Sequence, residues 1–279
     1  MKKSQTPSRF FGLHAQIPRP WRALLGALPF AVAVCAYLGA SMIYLHAEPN
    51  GKLLPSITQM FDAMWQLATV PNKRTGEYVF WLDMKTSLFR LFSGIILSAF
   101  AGLFIGLRMA FFPLMRALWL PFVTVFSNVP IIATIVFLMM VFGVGDAFKI
   151  ALIFFGTFFI ITRDVYRAAS AIPKEQVTKA LTLGASTFEV VYKIMLPQVM
   201  PHLLSAVRLV LGAAWIYLIS SEMIVATEGL GYRIAVMRRY LNMQVIIPYV
   251  LIIAMLAYLI DTGIRLWIKH GYPWFNPDK

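Results

Sequence analysis

The strongest constraint in this sequence is a run of 23 residues, Ala23 to Leu45, without a single charge. As a helix rising 1.5 Å per residue, it is long enough to cross the roughly 30 Å of bilayer hydrocarbon. A second uncharged run, Ala117 to Gly145, is longer still. Composition agrees with what the two runs imply. Of the 279 residues, 59% are hydrophobic and 13% are charged, against about 45–50% and about 25% in soluble domains. That excludes an ordinary soluble enzyme, and it excludes disorder, which needs low hydrophobicity. The fold class is an all-α polytopic membrane protein.

Residues 1–22 are polar, with Lys2, Lys3, Arg9, Arg19 and Arg22 and no acid. They read as a cytoplasmic tail. The 23–45 block is too long for a signal-peptide core and has no small-residue cleavage site after it, so it is the first span. Residues 46–85 are mixed and form an external segment. Within it, Ile57, Met60, Phe61, Met64 and Leu67 give Ser56 to Leu67 the spacing of an amphipathic helix, starting after Pro55-Ser56. Residues 86–268 form the core. Its spans are expected near 86–107, 117–145 (kinked or broken by Pro121 and Pro130), 148–162, 202–226 and 245–268. Lys149 is expected to snorkel at the end of the fourth span, and 227–244 is expected to be a loop. Residues 269–279 form a second cytoplasmic tail. Trp21, Trp267 and Trp274 suit interfacial anchors.

Six spans place both termini on one side. Sixteen of the 25 Lys and Arg residues then fall on the side of the two tails and of the 163–201 loop, consistent with cytoplasmic termini. The net charge of +13 is accounted for by this bias rather than by nucleic acid. The single cysteine, Cys35, permits no intrachain disulfide.

Powered chemistry is missing. The only Gly-Lys pair, Gly51-Lys52, is followed by leucine, so there is no phosphate-binding loop. His14, His46, His202 and His270 are scattered, without metal-ligand spacing. No G-x-S-x-G elbow occurs. Glu222 and Asp261 are the only acids in the later spans, too few for a proton relay. No cofactor and no catalytic or metal site is expected. A self-powered secondary transporter, which would need inverted repeats and midplane ion ligands, and a membrane-embedded enzyme remain as alternatives.

Helix packing is legible in the second span, where Gly94, Ser98, Gly102 and Gly106 recur every fourth residue. Such a ridge lets another helix backbone approach closely.

The 163–201 loop contains Lys179-Ala180-Leu181-Thr182-Leu183-Gly184-Ala185-Ser186 and then Lys193-Ile194-Met195-Leu196-Pro197. This resembles the EAA loop of binding-protein-dependent ABC importer permeases: Glu-Ala-Ala, three residues, Gly, nine residues, Ile-x-Leu-Pro. Ala180, Gly184, Ile194, Leu196 and Pro197 stand at the pattern's positions. Thr178 replaces the family's glutamate and Lys179 its first alanine. Locally, Pro173 to Leu183 can form one short helix and Gly184 can end it with a positive φ. Ser186 or Thr187 can cap a second helix ending before Pro197. The resemblance extends over about 53–270. Leu53-Leu54-Pro55-Ser56, Ser87-Leu88-x-Arg90, Asn128-Val129-Pro130, Ser221-Glu222-Met223-Ile224 and Gly229-Leu230-Gly231 are similar to the nitrate/sulfonate/taurine group. Gly229 to Tyr240, Ile247-Pro248-Tyr249 and Tyr272-Pro273-Trp274 resemble its urea-carboxylase-associated branch.

The resemblance implies an importer subunit that hydrolyses nothing itself. Its implied partners are a second permease subunit, most simply in a homodimer, two cytoplasmic ATPases and an external solute-binding protein. It implies that the paired loop helices dock on the ATPase. The solute would be a small polar one: nitrate, a sulfonate such as taurine, or a urea-like compound. Glu222 is then either a gate or pathway residue, with Asn128 and Pro130, or an anchor for the backbone N–H groups of the Gly229–Gly231 turn. Arg208 is expected to meet lipid phosphates or the loop.

Overall fold

The computed structural model describes residues 19–47, 53–73 and 76–275. Most of the 1–22 tail, parts of the 46–85 segment and the last four residues lie outside the described residues. Helix α1 is Arg19–Ala47 and α2 is Ile57–Thr69. Ser56 starts α2 as a capping box: the Gln59 N–H donates to Ser56 Oγ and the Ser56 N–H to Gln59 Oε1, at 3.2 and 3.0 Å. Tyr37 and Ser41 of α1 donate to the carbonyls of Leu54 and Pro55, fastening the first helix to the segment before α2.

Helix α3, Val79–Phe111, begins seven residues before the expected start at Thr86. Asp83 and Lys85 look like loop residues in sequence, but Asp83 is fully buried against Arg233, the Gly229 N–H and the Tyr249 hydroxyl, so the helix runs through it. The 117–145 run is broken rather than kinked. Helix α4, Pro113–Phe126, is followed by a 3₁₀ turn, Ile131–Thr134, and by α5, Ile135–Phe142. The two helices stand at 90°. Pro130 disfavours helical backbone at Val129, which ends α4's course there.

Helix α6, Asp146–Ser170, exceeds the expected 148–162 at both ends. Lys149 does not snorkel: it is buried, 3.4 Å from the Asp146 carboxylate. The remaining elements are α7 (Lys174–Thr182), α8 (Thr187–Glu189), α9 (Leu196–Ile224), α10 (Leu230–Arg239) and α11 (Met243–Gly271). Helix α10 occupies most of what reads in sequence as the 227–244 loop.

Four helical stretches among the described residues are long and apolar enough to cross a membrane, and the bent α4–α5 pair makes a fifth. They are α1, α3, the continuous stretch ending in α9, and α11. Helix α6 falls outside that set because charges at both ends leave only residues 150–162 uncharged.

The core is built on α3, α6 and α9, where Leu91, Ile153, Ile161, Val165, Val199 and Leu218 are buried together. The α3 ridge lies on α6. A Cβ on Gly94 would sit 2.6 Å from Ile153 Cγ2, one on Gly102 2.9 Å from Ile161 Cγ2, and one on Gly106 2.9 Å from the Thr162 carbonyl oxygen. Ser98, in the same row, donates to the Phe154 carbonyl and accepts from Thr157 Oγ1 at 2.7 Å. Residue numbers rise together along this contact, so α3 and α6 run parallel, and α9 returns packed chiefly against α6.

Candidate functional site

Two constructions stand at opposite ends of this three-helix core. At one end α6 passes into an exposed arm before the chain returns as α9. Helix α7 ends on Gly184, whose φ is 91°. The Ala185 N–H donates to the Ala180 carbonyl and the Gly184 N–H to the Leu181 carbonyl, both at 3.0 Å. This is a Schellman ending, which needs a left-handed residue at position 184. Ser186 then opens α8 with a second capping box, its partner being Glu189.

The second helix of the arm does not end before Pro197, as the sequence suggested. It continues through a π-turn, Val190–Met195, directly into α9. Pro197 lacks an N–H and its ring crowds the preceding turn; the wider turn accommodates it. Ile194 and Leu196 are half-buried at the root of the arm, beside buried Val190 and Met195. Thr178 and Lys179 are exposed, and Ala180 and Ala185 are half-buried. Gln198 of α9 donates to Gln176 of α7 at 3.2 Å, bracing the two limbs. At the elbow Leu183 is 87% exposed and Phe188 76% exposed, and Phe188 stacks on Tyr192.

At the other end, a knot of charge joins α3, α6, α9 and α10. Arg90, 2% exposed, is its hub. Its Nη1 lies 2.7 Å from Glu222 Oε1 and also donates to the Glu228 carbonyl at 2.9 Å. Its Nη2 lies 2.7 Å from Asp146 Oδ1. The Glu222 carboxylate further accepts from Ser87 Oγ and from the Gly231 N–H, at 2.8 and 2.9 Å. Asp83 accepts from the Gly229 N–H, from Arg233 Nε and from the Tyr249 hydroxyl. The Leu230 N–H donates to Ser87 Oγ. Three consecutive N–H groups at the start of α10 are thus taken up by Asp83, Ser87 and Glu222. A helix N-terminus attracts negative charge, and here the chain supplies that charge itself. Gly229 has φ 125°, and a Cβ there would lie 2.6 Å from the Glu222 carboxylate, so no other residue fits.

Glu222 accepts from one backbone N–H of the Gly229–Gly231 turn, that of Gly231. Asn128 and Pro130 stand elsewhere, at the α4–α5 corner. Asn128 is exposed, with its amide donating to the Thr124 carbonyl. Sequence reasoning missed Asp83, Arg90, Asp146, Lys149 and Arg233 as a group. The available signal was opposite charges recurring near one end of several apolar segments. Arg208 has a partner in the neighbouring helix. It makes a bidentate pair with Asp261 of α11, at 2.8 and 3.0 Å, a partner the sequence did not point to. A planar guanidinium and a carboxylate at this depth neutralise each other.

The description "binding-protein-dependent transport system inner membrane component" fits residues 94–274, which include α6, the arm, α9 and α11. The chain belongs to this family. It is a permease subunit of an ABC importer, a non-catalytic membrane component whose ATPase is a separate subunit. The permease is 27% identical over 194 residues to the taurine transport system permease protein TauC of Escherichia coli (strain K12), covering 70% of each chain. It is 27% identical over 246 residues to SsuC of the same organism, named for aliphatic sulfonates transport, covering 87% and 89%. Among solved structures, an inward-facing form of the MetNI methionine ABC transporter matches with a TM-score of 0.55 at 21% identity, over 68% of the permease and 96% of that chain. The names of these relatives, taurine and aliphatic sulfonates transport, match the group that the sequence motifs resemble.

Proposed function

We propose that two copies of this permease form the translocation pathway between them. Two cytoplasmic ATPases grip the α7–α8 arms, and an external binding protein delivers a small polar solute of the taurine and sulfonate class. Nitrate or a urea-like compound is the other solute chemistry this group suggests. Both termini and the arm lie in the cytoplasm, and α6 is the sixth span. Its end charges are compatible with that placement because Lys149 and Asp146 are neutralised within the charge knot. Glu222 acts by holding the α9–α10 turn, and Asn128 and Pro130 line the pathway at the α4–α5 corner.

The observation that carries the reading is the arm. It is a rigid elbow, closed by a Schellman turn and a capping box, and it presents apolar Leu183, Phe188 and Tyr192 to the outside. Exposed apolar and aromatic side chains on a fixed frame are what a docking surface buries. The test is co-purification of the permease with its ATPase. A Leu183→Asp/Phe188→Asp double variant should remain membrane-inserted and lose the ATPase. Undiminished ATPase recovery with that variant would refute the docking role.

A further inference from the structure

At the root of the arm lies a cavity of about 400 Å³ that the docking surface at Leu183 and Phe188 does not use. Its size is that of a site for a small ligand. Separate stretches of chain wall it. Arg116 comes from the first turn of α4, Tyr166 and Ser170 from the last turns of α6, and Lys174 and Thr178 from α7; buried Met195 of the π-turn also lines it. The two α6 residues are four apart, and so are the two α7 residues, so each pair presents a single helix face. Glu175 and Lys179 lie off that face of α7 and do not line the cavity.

The lining has one sign of charge. Arg116 and Lys174 are cations, Tyr166, Ser170 and Thr178 carry hydroxyls, and among the described residues no acid lines the cavity. Arg116 is held in place. Its Nε and Nη2 donate to the Met109 and Ala110 carbonyls at the end of α3, at 3.4 and 3.2 Å, and its guanidinium carbon lies 5.7 Å from the centre of the Tyr166 ring. A guanidinium carries five N–H donors, so most of them remain for a ligand. Neither Arg116 nor Lys174 forms a salt bridge among the described residues. Thr178 stands where the resembled importer pattern has glutamate. A carboxylate on this face would pair with the cations or repel an anion; threonine does neither and adds a donor. Two cations, hydroxyl donors and no carboxylate around one cavity are complementary to an oxyanion.

We propose that this cavity binds an oxyanion group, with the Arg116 fork on one wall and Lys174 with Thr178 on another. Held from both sides, the anion fastens the α7 limb of the arm to the end of α3 and the start of α4. The same chemistry is offered by a soluble sulfonate or phosphate and by a lipid phosphate. That a soluble ligand arrives from the cytoplasm rests on the importer reading above.

The test uses the full permease with its ATPase in nanodiscs of neutral phosphatidylcholine, titrated with methanesulfonate or inorganic phosphate at constant ionic strength, and reads the rise in melting temperature. A parallel series uses discs enriched in phosphatidylglycerol. Stabilisation by the soluble anions in neutral discs identifies a soluble oxyanion as the ligand; stabilisation by phosphatidylglycerol alone identifies lipid phosphate. Either result supports the site provided that Arg116→Gln and Lys174→Gln each weaken the apparent affinity about tenfold, the loss expected for one charge-assisted hydrogen bond. Thr178→Glu, which restores the pattern's acid, should weaken it as well. Lys179→Gln removes an equal charge from the same helix outside the cavity and should leave the anion affinity unchanged. Arg116 and Lys174 are both exposed and lie on different helices, so if one variant fails to fold the other carries the test. No stabilisation in either disc, stabilisation indifferent to Arg116→Gln and Lys174→Gln, or an equal loss in Lys179→Gln overturns the proposal. Nanodiscs leave both faces open, so binding is read whichever side the arm occupies. Failure of the ATPase to co-purify with the unaltered permease would instead refute the importer assembly and leave the anion result standing.

Discussion

Replacing Glu222 with glutamine removes a charge without changing shape, and the surroundings offer glutamine no good orientation. Oε1 accepts from Arg90 Nη1 and Ser87 Oγ, while Oε2 accepts from the Gly231 N–H and, at 3.0 Å, again from Ser87 Oγ. Ser87 Oγ already accepts from the Leu230 N–H, so its own proton is directed at Glu222. Every neighbour is a donor. The new NH₂ group must face either the Arg90 guanidinium or the Gly231 N–H. One charge-assisted hydrogen bond is lost, at about 1.5–3 kcal/mol, and a buried donor is left unpaired, at about 1–3 kcal/mol. Arg90 keeps Asp146, which limits the damage, so Glu222→Gln is expected to destabilise by about 3 kcal/mol. The comparison is Asp146→Asn. Asp146 is 48% exposed, and water replaces much of what its charge provided, leaving a loss of about 1 kcal/mol or less. The measurement is equilibrium unfolding of the purified permease by SDS in mixed micelles, reading midpoint and slope for both variants. If Glu222→Gln is no more destabilising than Asp146→Asn, the buried donors do not depend on that carboxylate and the argument fails.

Gly184→Val should reduce ATPase coupling more than Gly184→Ala, because a β-branched residue tolerates φ near 91° worst; equal coupled hydrolysis in both would remove the turn from the mechanism. On the α3 ridge, Gly106→Ala should cost about 1–3 kcal/mol by overpacking against the fixed Thr162 carbonyl, while Phe104→Leu on an exposed face should be nearly neutral. Similar recovery of intact complex after detergent extraction for both variants would show that α6 yields easily. For topology, single cysteines at Ser4, Lys174 and Asn72 in a Cys35→Ala background should give labelling by an impermeant external reagent at Asn72 alone; reaction at Lys174 in sealed cells would invert the arrangement.

How much was legible follows from which interactions are local. The α2 start, the Gly184 ending and the Ser186 cap are each set within a few residues, and the chain signals them with Ser, Gly and a downstream Gln or Glu. The α3 ridge was visible because four small residues at helical spacing form one face whatever they contact. Its partner was not, since nothing near Gly94 in sequence points to Ile153. The charge knot was hidden for the same reason. Asp83 and Arg233 are 150 positions apart, Ser87 and Glu222 135. Each charge alone shortens a hydropathy-based span, so in sequence Asp83 reads as lying outside α3 and Lys149 as lying at an interface. Charges mark the end of a helix only when they stay in water; once paired in the interior, they let it continue. The continuity of α8 into α9 was hidden by proline chemistry, because Pro197 reads as a stop unless the preceding turn widens.

The two ends of the core are connected in a way that bears on how the permease could switch. The arm hangs between two helices whose far ends meet at Arg90: α6 through Asp146 and α9 through Glu222. Along the way α6 is seated on α3 with almost no side chain between the backbones at Gly102 and Gly106. Packed interiors resist continuous deformation, so α3 and α6 are constrained to move together when the arm is pushed. Relative movement then falls between that pair and α9, or between α6's first turn and the knot. Parting Arg90 from Glu222 would strand two buried charges, at about 3–5 kcal/mol. Parting Arg90 from Asp146 exposes a carboxylate that is already half in water and keeps Lys149 within reach of it. The Asp146 contact is therefore the one that the geometry makes cheapest to open, while Glu222 keeps Arg90 and the α10 turn in place.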